Sequence, residues 1–426
     1  MFSNPLPCMP SRLKILLSAY ACEPGKGSEP GVGWSWAEQM SRLHEVWVIT
    51  RSNNQAAIEG SGLEWVQNVH WVYYDPPAWL TFWKKGNRGV QVFYYLWQIG
   101  AWLKARKLLR QTAFDLAHHV TFGNYWLPSW IGLLPIPFVF GPVGGGEVTP
   151  EPLLSSLTPK QQRYERLRRF LQKIFRFDPV QHCVMRRAAV ISATDETGER
   201  VQAWFRPTFH SVQAQCGLSA PELAMFGALK PKSDGPFRLI SMGRLVHWKG
   251  YHLSLMAFAR LLETFPEAEY WLASDGPERP TLEALAAQLG CGDQVKFWGR
   301  LPKLDELYAK LEQSDVLVHP AMHEAFGVAC MESMASGRPV ICLNRGGPAL
   351  LVTPETGIAV EPGTVEETVA RLAGAMLCLA QDSPLRQQMG QNARIRIAHC
   401  FSWEKMAEKM NEVYQQMVRS GLSENH

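Results

Sequence analysis

The sequence predicts an α/β protein with two domains, each built on a parallel sheet. Short apolar runs of strand length alternate with longer helical patterns along the chain, which is typical of βαβ units. This alternation stops between about residues 207 and 236, where four prolines occur without a long periodic run, and then restarts. A chain of 426 residues is also too long for one ordinary hydrophobic core. We therefore expect a first domain at 1–212 and a second domain at 213–400.

Composition and charge exclude several classes of protein. The formal net charge of +4 is small for this length, so it does not indicate binding to nucleic acid. The nine cysteines are scattered without CxxC pairs or metal-ligand spacing, which favours reduced thiols in the cytoplasm. The apolar run at 15–17 is too short for a signal peptide core. The uncharged run at 126–143 contains four prolines, which argues against a membrane span.

The first half opens with the order strand, glycine-rich segment, helix, strand, which is typical of a Rossmann-like unit. We predict a strand at 14–19, a helix at 34–43 and a strand at 46–50. The glycine-rich segment between the first strand and the helix does not match GxGxxG, so it does not indicate a dinucleotide. Two interpretations stay open. The glycines allow a tight turn, or Gly31 and Gly33 let the backbone come close to a ligand.

The rest of the first half continues the alternation. We predict strands at 69–74, 115–120, 138–140 and 189–192, and helices at 90–109 and 195–204. His118 and His119 end one of these strands, at the edge where sites form in parallel sheets. A histidine is more often structural than catalytic, so both interpretations stay open. A glycine turn at 144–146 precedes Glu147, which we consider as part of the wall of an acceptor site.

The second half repeats the pattern. We predict strands at 237–242, 270–273, 295–298, 316–318 and 340–342, and helices at 251–265, 277–289, 304–312, 327–336 and over most of 365–417. The stretch 319–347 connects a strand, a loop, a helix and a strand, and it carries Glu324, Gly327 and Glu332. The free N–H groups of a helix N-terminus can bind a phosphate. Two acids beside that place would repel a phosphate, unless they point at neutral hydroxyl groups. We therefore expect a ligand that contains both phosphates and sugars.

Two segments combine basic residues with apolar or aromatic ones. Residues 79–85 place Trp79, Phe82 and Trp83 beside Lys84 and Lys85. Residues 160–187 contain nine Lys or Arg against two acids. Such a run is usually a solvated helix face. The alternative is contact with an anionic membrane surface, and both interpretations stay open.

Four spaced motifs of the second half carry a resemblance to a known family. They are GRLVHWKG at 243–250, SDGP at 274–277, FWGRLP at 297–302 and EAFGVACME at 324–332. In this order they resemble the family 4 retaining glycosyltransferases, also described as glycosyl transferases group 1, which have the glycosyltransferase-B (GT-B) fold. The first half resembles the same family less closely. The similar features are the glycine-rich segment, DxxH at 115–118 and FGPVGGGE at 140–147. This combination resembles bacterial enzymes that build cell-surface polysaccharides.

The resemblance implies two Rossmann-like domains whose parallel sheets face each other across a cleft. The first domain would bind the acceptor and the second the nucleotide-sugar donor. The C-terminal helix, within 401–426, would cross back to the first domain.

The resemblance also implies roles for matching residues of the second half. Arg244 and Lys249 would hold the donor diphosphate, and their fixed cations would stabilise the leaving group without a metal. Glu332 would bind the ribose hydroxyls, and Glu324 the hydroxyls of the transferred sugar. The phosphates would also accept hydrogen bonds from the backbone amides at the helix start, those of Phe326, Gly327 and Val328.

Other implied positions are less specific. Gly33 would let the first domain approach the diphosphate across the cleft. Asp275 would line the donor site, although a DG pair also simply makes a turn. A family histidine contacts the donor sugar near its reacting carbon. Here both His118 and His119 match that place, and we prefer His119.

The resulting prediction is a metal-independent transferase that moves a sugar from a UDP-, GDP- or similar nucleotide sugar to a glycan or lipid-linked acceptor. We expect no cofactor and no binding to nucleic acid. The predicted location is cytoplasmic, either free or in contact with the inner face of the membrane. The alternatives are a non-catalytic nucleotide-sugar-binding subunit, a soluble-acceptor disaccharide synthase, or an epimerase on the same fold.

Overall fold

The computed structural model describes residues 12–83, 86 and 89–423. The strands of the first sheet are β1 (Lys14–Ser18), β2 (Glu45–Thr50), β3 (Val69–Tyr73), β4 (Leu116–His119), β5 (Phe138–Val143), β6 (Ala188–Ser192) and β7 (Phe209–Val212). The strands of the second sheet are β8 (Arg238–Met242), β9 (Glu269–Ala273), β10 (Val295–Phe297), β11 (Val316–His319), β12 (Val340–Leu343) and β13 (Gly357–Val360).

Helices connect these strands. They are α1 (Ser28–Leu43), α2 (Gln55–Glu59), α3 (Ala78–Thr81), α4 (Val90–Leu108), α5 (Pro159–Phe175), α6 (Pro179–Arg187), α7 (Asp195–Trp204), α8 (Ala220–Gly227), α9 (Tyr251–Leu262), α10 (Arg279–Gln288), α11 (Leu304–Glu312), α12 (Val328–Ala335), α13 (Gly346–Leu351), α14 (Val365–Gln381), α15 (Ser383–Cys400) and α16 (Trp403–Ser423). Short 3₁₀ helices lie at Ser52–Asn54, Glu64–Asn68, Trp130–Leu133, Glu151–Ser156 and His247–Lys249.

Both sheets are parallel and doubly wound. The strand order is β3-β2-β1-β4-β5-β6-β7 in the first sheet and β10-β9-β8-β11-β12-β13 in the second. In each sheet the order reverses between two central strands, β1 and β4 or β8 and β11, and ligands bind at the carboxyl ends of such strands. The predicted fold class is confirmed. The limits of the two domains stay a prediction.

Two neighbouring strands of the second sheet, β11 and β12, are buried along their whole length. Every residue of β11 and β12 is buried, because helices cover both faces of the sheet. This burial explains why these strands read as continuous apolar runs in the sequence. It also fixes the direction in which the loops after β8 and β11 leave the sheet.

Helix α1 begins at Ser28 rather than at Trp34, so the predicted glycine-rich loop is partly helical. The carboxylate of Glu29 accepts a hydrogen bond from Phe122 N at 2.9 Å, which docks the first turn on the loop after β4. A Cβ atom at Gly33 would lie 2.0 Å from the carbonyl oxygen of Ala21. Gly33 therefore allows close packing between helix and loop, and its approach to a ligand stays a prediction.

The basic segment 160–187 forms two helices rather than one continuous helical run. The break lies at Asp178, whose carboxylate accepts hydrogen bonds from the amides of Val180 at 2.8 Å and Gln181 at 3.1 Å. Asp178 thus caps α6, and Pro179 occupies its first position, where a missing amide hydrogen has no consequence.

The last helix returns to the first half of the chain. In α16, Trp403 packs edge-on against Trp36 of α1 with ring centroids 5.4 Å apart. Further along α16, the hydroxyl of Tyr414 hydrogen-bonds to Nδ1 of His118 in β4. Among the described helices, none has the length and apolarity that crossing a bilayer requires.

Candidate active site

The loops that follow β8 and β11 meet at the point where the strand order of the second sheet reverses. The loop after β8 contains Arg244 and Lys249, and the loop after β11 contains Glu324. A backbone hydrogen bond of 2.8 Å from Met322 N to Trp248 O ties the two loops together. The structure therefore brings these three predicted residues to one edge of the sheet.

Lys249 and Glu324 form an ion pair at the centre of this edge. Nζ of Lys249 donates to Oε2 of Glu324, and the two side chains are only 16% and 17% exposed. Nε2 of His319, at the end of β11, lies 3.7 Å from the same carboxylate oxygen. The sequence predicted separate subsites for the lysine and the glutamate. The contact brings the two side chains together, and their roles in separate subsites stay a prediction.

This environment keeps Glu324 ionised. Burial opposes ionisation, but the charge of Lys249 and the contact with His319 outweigh it, so the pKa of Glu324 lies well below its usual range. An ionised carboxylate accepts hydrogen bonds only, which suits it to the hydroxyl groups of a sugar.

Arg244 and Asp275 lie on the exposed side of the same edge. The guanidinium of Arg244 has no hydrogen bond or ion pair with any of the residues that the structure describes. Asp275 instead shapes a turn, since its carboxylate accepts from the amide of Gly276 at 2.8 Å and its carbonyl from Leu245 N at 3.0 Å. A free guanidinium suits a bidentate contact with phosphate. For Asp275 the turn explains the residue, and a ligand contact stays a prediction.

Helix α12 begins directly after the loop that carries Glu324. Gly327 has a φ angle of 88°, a left-handed conformation that favours glycine, and it precedes the helix that Val328 starts. The first amides of a helix have no acceptor within the helix and carry a partial positive charge. The predicted phosphate-binding amides at Phe326, Gly327 and Val328 therefore lie beside Lys249 and Glu324.

Glu332 lies on α12, one turn beyond its start. Its Oε1 accepts a hydrogen bond of 3.2 Å from the hydroxyl of Tyr308 on α11. Burial raises the pKa of Glu332 to about 7, with a smaller opposing effect of Tyr308 and a further rise from Glu222. The side chain is therefore partly protonated near neutral pH, in contrast to Glu324.

The two histidines of β4 are fully buried. His118 bonds to the Tyr414 hydroxyl through Nδ1 and to Gly141 O through Nε2, the latter at 2.7 Å. His119 contacts the Tyr94 hydroxyl at 2.9 Å and Oγ of Ser18 at 3.0 Å. Burial lowers the pKa of His118 to about 3 and that of His119 to about 4. In this arrangement neither ring is exposed to the cleft, and a contact with the sugar stays a prediction for both.

The first half of the chain also reaches the site. Oε1 of Glu196, in the first turn of α7, accepts from Gly346 N at 2.9 Å and lies 3.3 Å from Nε of Arg345. A Cβ atom at Gly144 would lie 3.2 Å from Cβ of Ala325, next to Glu324. The loop after β5 of the first sheet thus lies against the loop that carries Glu324.

Glu147 does not line an acceptor wall with its carboxylate. That carboxylate is buried and accepts from Oγ1 of Thr194 at 2.6 Å, Oγ1 of Thr197 at 2.8 Å and the amide of Gly145 at 3.0 Å. It therefore holds the glycine turn in place.

Sequence reasoning missed His319, Tyr308 and Glu196 as parts of the site. His319 ends a parallel strand and Glu196 lies in the first turn of the helix after one, so the carboxyl end of a strand was an available signal for both. Tyr308 carries no such signal, because only folding brings its hydroxyl to Glu332. Within the described ranges, no group of three His, Cys, Asp or Glu residues could hold a metal ion.

The raised pKa of Glu332 predicts a pH-dependent stability difference. The folded state retains the proton that the unfolded state loses, so this residue lowers stability progressively from about pH 4.5 to about pH 7. The glutamine of Glu332→Gln does not titrate, so the stability of this variant relative to the unsubstituted protein should rise by about 2–3 kcal/mol between pH 5 and pH 8. Denaturant unfolding at both pH values measures this. A difference that does not change with pH would contradict the assignment.

Comparison with known proteins agrees with this geometry. Residues 228–396 match the family model of glycosyl transferases group 1. A Mycobacterium tuberculosis glycogen synthase is 31% identical over 190 residues, which cover 44% of each chain. The lipopolysaccharide core biosynthesis glycosyltransferase LpsE of Rhizobium meliloti is 32% identical over 193 residues, 45% of this chain and 52% of that protein. The matches thus span about half the length of these relatives.

Solved structures match over nearly the whole chain. Sucrose-phosphate synthase from Thermosynechococcus elongatus superposes with a TM-score of 0.64 at 20% identity, covering 96% of this chain and all of the other. HepE from Anabaena, solved with UDP and glucose, gives a TM-score of 0.58 at 17% identity, covering 95% of this chain and 100% of the other. At these identities the likeness shows the fold. The chain therefore has the GT-B fold, and its residues 228–396 are similar to the glycosyl transferases group 1 family.

Proposed function

We propose that this protein transfers a sugar from a nucleoside-diphosphate sugar to an acceptor hydroxyl, in the synthesis of bacterial cell-surface polysaccharide or glycolipid. The observation that carries the proposal is the Lys249–Glu324 pair, which joins the loop of Arg244 to the loop that leads into α12. Among the described residues, Arg244 has no partner. This arrangement puts groups that bind phosphate and groups that bind hydroxyls side by side. The relatives named above include a lipopolysaccharide core biosynthesis glycosyltransferase and a glycogen synthase, which supports the same conclusion.

The diphosphate of the donor would lie between Arg244, Lys249 and the first amides of α12. The positive charge of these groups would stabilise the diphosphate oxygen that gains negative charge as the leaving group departs. A guanidinium fork and a lysine point charge give this stabilisation without a metal ion. Metal independence is therefore part of the proposal, and chelation with EDTA should leave activity unchanged.

The sugar and the ribose would be held by the two glutamates. Glu324 is ionised and partly exposed beside Lys249, so it can accept hydrogen bonds from sugar hydroxyls. Glu332 lies further along α12 and would accept from the ribose hydroxyls, as carboxylates do at other nucleotide sites. Ribose binding would favour the ionised form of Glu332 over its protonated form.

We further propose that transfer retains the configuration of the anomeric carbon. The bond from this carbon to the diphosphate oxygen breaks, the acceptor oxygen bonds to the same face, and the leaving phosphate takes the acceptor proton. Hydrolysis by a glycosidase route needs two carboxylates that flank the scissile bond. Here Glu332 is better explained by ribose, which leaves Glu324 without such a partner.

Two substitutions separate the proposed subsites. Lys249→Ala should weaken binding of the cognate nucleoside diphosphate about tenfold or more, because a charge-assisted contact is lost. Glu324→Ala frees Lys249, so nucleotide affinity should hold or increase, whereas the rate of sugar transfer should fall by about a hundredfold. Calorimetric titration and a transfer assay measure the two quantities.

Lys303→Ala is the matched control, because Lys303 is an exposed lysine of the same half. Unchanged nucleotide affinity in Lys249→Ala would refute the diphosphate assignment. A protein that binds the nucleotide sugar but transfers nothing to any acceptor would favour the non-catalytic alternative. Product formation without an acceptor would favour an epimerase.

A proposal for the class of acceptor rests on α5, which exposes apolar side chains among cations. Its outward face carries exposed apolar side chains, such as Leu167, Phe170 and Ile174, with Phe170 at 59% exposed. Exposed cations lie on the same helix or just beyond it, at Arg163, Arg166, Lys173 and Arg176. A helix that turns apolar residues outward among cations is suited to an anionic lipid surface. We therefore propose that the acceptor is lipid-linked and is met at such a surface.

A pocket of about 390 Å³ supports this acceptor class. Its apolar lining comes from α5 and the loop after β4, and includes Trp126, Leu171 and Phe175. Gly145 also lines it, next to the Gly144 that touches Ala325. The pocket thus connects the exposed side chain of Leu167 on α5 with the glycine turn that reaches Ala325. In the segment 79–85, Trp79 and Phe82 are exposed, while Lys84 and Lys85 lie outside the described residues.

Vesicle binding tests the lipid proposal. The protein should sediment with vesicles that contain phosphatidylglycerol more than with vesicles of phosphatidylcholine alone, and Phe170→Ser with Ile174→Ser should reduce this binding about tenfold. Val92→Ser with Leu103→Ser is the matched control, because these residues are equally exposed on α4. Equal binding to both vesicle types, or equal loss in the control, would count against the membrane surface.

A further inference from the structure

One carboxylate on α5 points inward and joins two loops of the second half. Glu165 is fully buried, although most of its neighbours on this basic helix are exposed. Its Oε1 lies 3.0 Å from Nε2 of His247 and 3.3 Å from Nε2 of His323. A single oxygen therefore bridges the loop after β8 and the loop after β11.

Both histidines are next to residues of the proposed donor site. His247 starts the short 3₁₀ helix that ends at Lys249, and His323 directly precedes Glu324. Between them, the ring of Trp248 stacks on His323 with centroids 5.8 Å apart and on Tyr164 of α5 at 6.4 Å. The two loops thus share one cluster of side chains with α5.

Helix α5 is fixed at its other side to the first half. The side chain of Gln172 donates to Gly145 O at 2.7 Å, and Arg168 donates to Glu147 O at 2.7 Å. Arg169 donates to Thr149 O. These contacts hold the helix on the segment after β5, so the contact of Glu165 with the histidines spans the two halves of the chain.

Stability alone does not explain this carboxylate. Burial opposes its ionisation, but the hydrogen bonds from His247 and His323 outweigh it, so the pKa of Glu165 lies well below its usual range. Its second oxygen, Oε2, is buried without a partner among the described residues. A buried charge that is only partly satisfied is a poor source of stability, which points to a role in placing its partners.

We propose that Glu165 is a positioning residue that holds the two donor-site loops from across the cleft. By fixing His247 and His323, it would place Lys249 beside the diphosphate and Glu324 beside the sugar while the two halves are closed. This inference rests on the proposed function for its consequence in catalysis. The same helix lines the acceptor pocket, so acceptor binding and donor geometry would be linked through α5.

Three substitutions test the inference. Glu165→Ala removes the bridging oxygen. Glu165→Gln keeps an oxygen that can accept from both histidines, so it should rescue the loss. Glu151→Gln is the control, because Glu151 is an exposed carboxylate just before α5 that pairs with Arg169. All are made in the full-length protein.

The expected result is a separation of turnover from nucleotide affinity. Glu165→Ala should lower kcat for sugar transfer by about tenfold or more, since small misplacements of catalytic groups reduce rates strongly. Its affinity for the free nucleoside diphosphate should fall by less than the tenfold loss expected for Lys249→Ala, because the lysine itself, Arg244 and the α12 amides remain. Glu165→Gln should stay within about threefold of the unsubstituted protein in kcat, and Glu151→Gln should match it.

Solution X-ray scattering gives a readout that does not depend on activity. Glu165→Ala should increase the radius of gyration of the unliganded protein slightly, because one of several contacts between the halves is lost, whereas Glu165→Gln should not. Unchanged kcat and unchanged scattering in Glu165→Ala would overturn the inference. So would a parallel loss of nucleotide affinity, kcat and melting temperature, which indicates a merely structural role. An unsubstituted protein that transfers no sugar would refute the proposed function alone, because scattering still tests the contact.

Discussion

The ion pair between Lys249 and Glu324 is the contact on which the site depends. Two strands that are adjacent in the sheet, β8 and β11, deliver these residues from sequence positions far apart. The lysine keeps the glutamate ionised, and the glutamate keeps a largely buried lysine charge paired. A ligand that brings both negative phosphates and neutral hydroxyls can satisfy both partners at once. This pairing explains why acids are present beside a helix start that would otherwise simply attract anions.

The first half of the chain completes this arrangement in three ways. Glu165 of α5 holds the loops on which Lys249 and Glu324 lie, and Glu196 of α7 binds the loop at the start of α13. Helix α16 returns from the second half and buries Tyr414 against His118. Each contact involves a side chain of the first half that is polar and mostly buried. The orientation of the two sheets is therefore tied to hydrogen bonds that surround the site.

Much of the architecture could be predicted from the sequence, because buried parallel strands read as apolar runs and their order with helices is regular. The motifs around Arg244, Lys249 and Glu324 could also be placed, since each follows a strand at its carboxyl end. What could not be predicted were contacts between distant segments. The surroundings of His118 depend on Tyr414, and Glu165 looks like one acid within a basic run until folding turns it inward. Helix α1 was placed too late, because glycines that serve close packing resemble those of a loop.

The measurement that tests the central claim most directly is a thermal-shift screen with UDP, GDP, ADP and CDP, each with EDTA and with magnesium. A ligand that binds only the folded state raises the melting temperature as its concentration exceeds its dissociation constant. We expect one of the four nucleotides to raise the melting temperature clearly in EDTA, with little further change in magnesium. That nucleotide would identify the base of the donor. No shift with any of the four under either condition would contradict a nucleoside-diphosphate site built around Lys249 and Glu324.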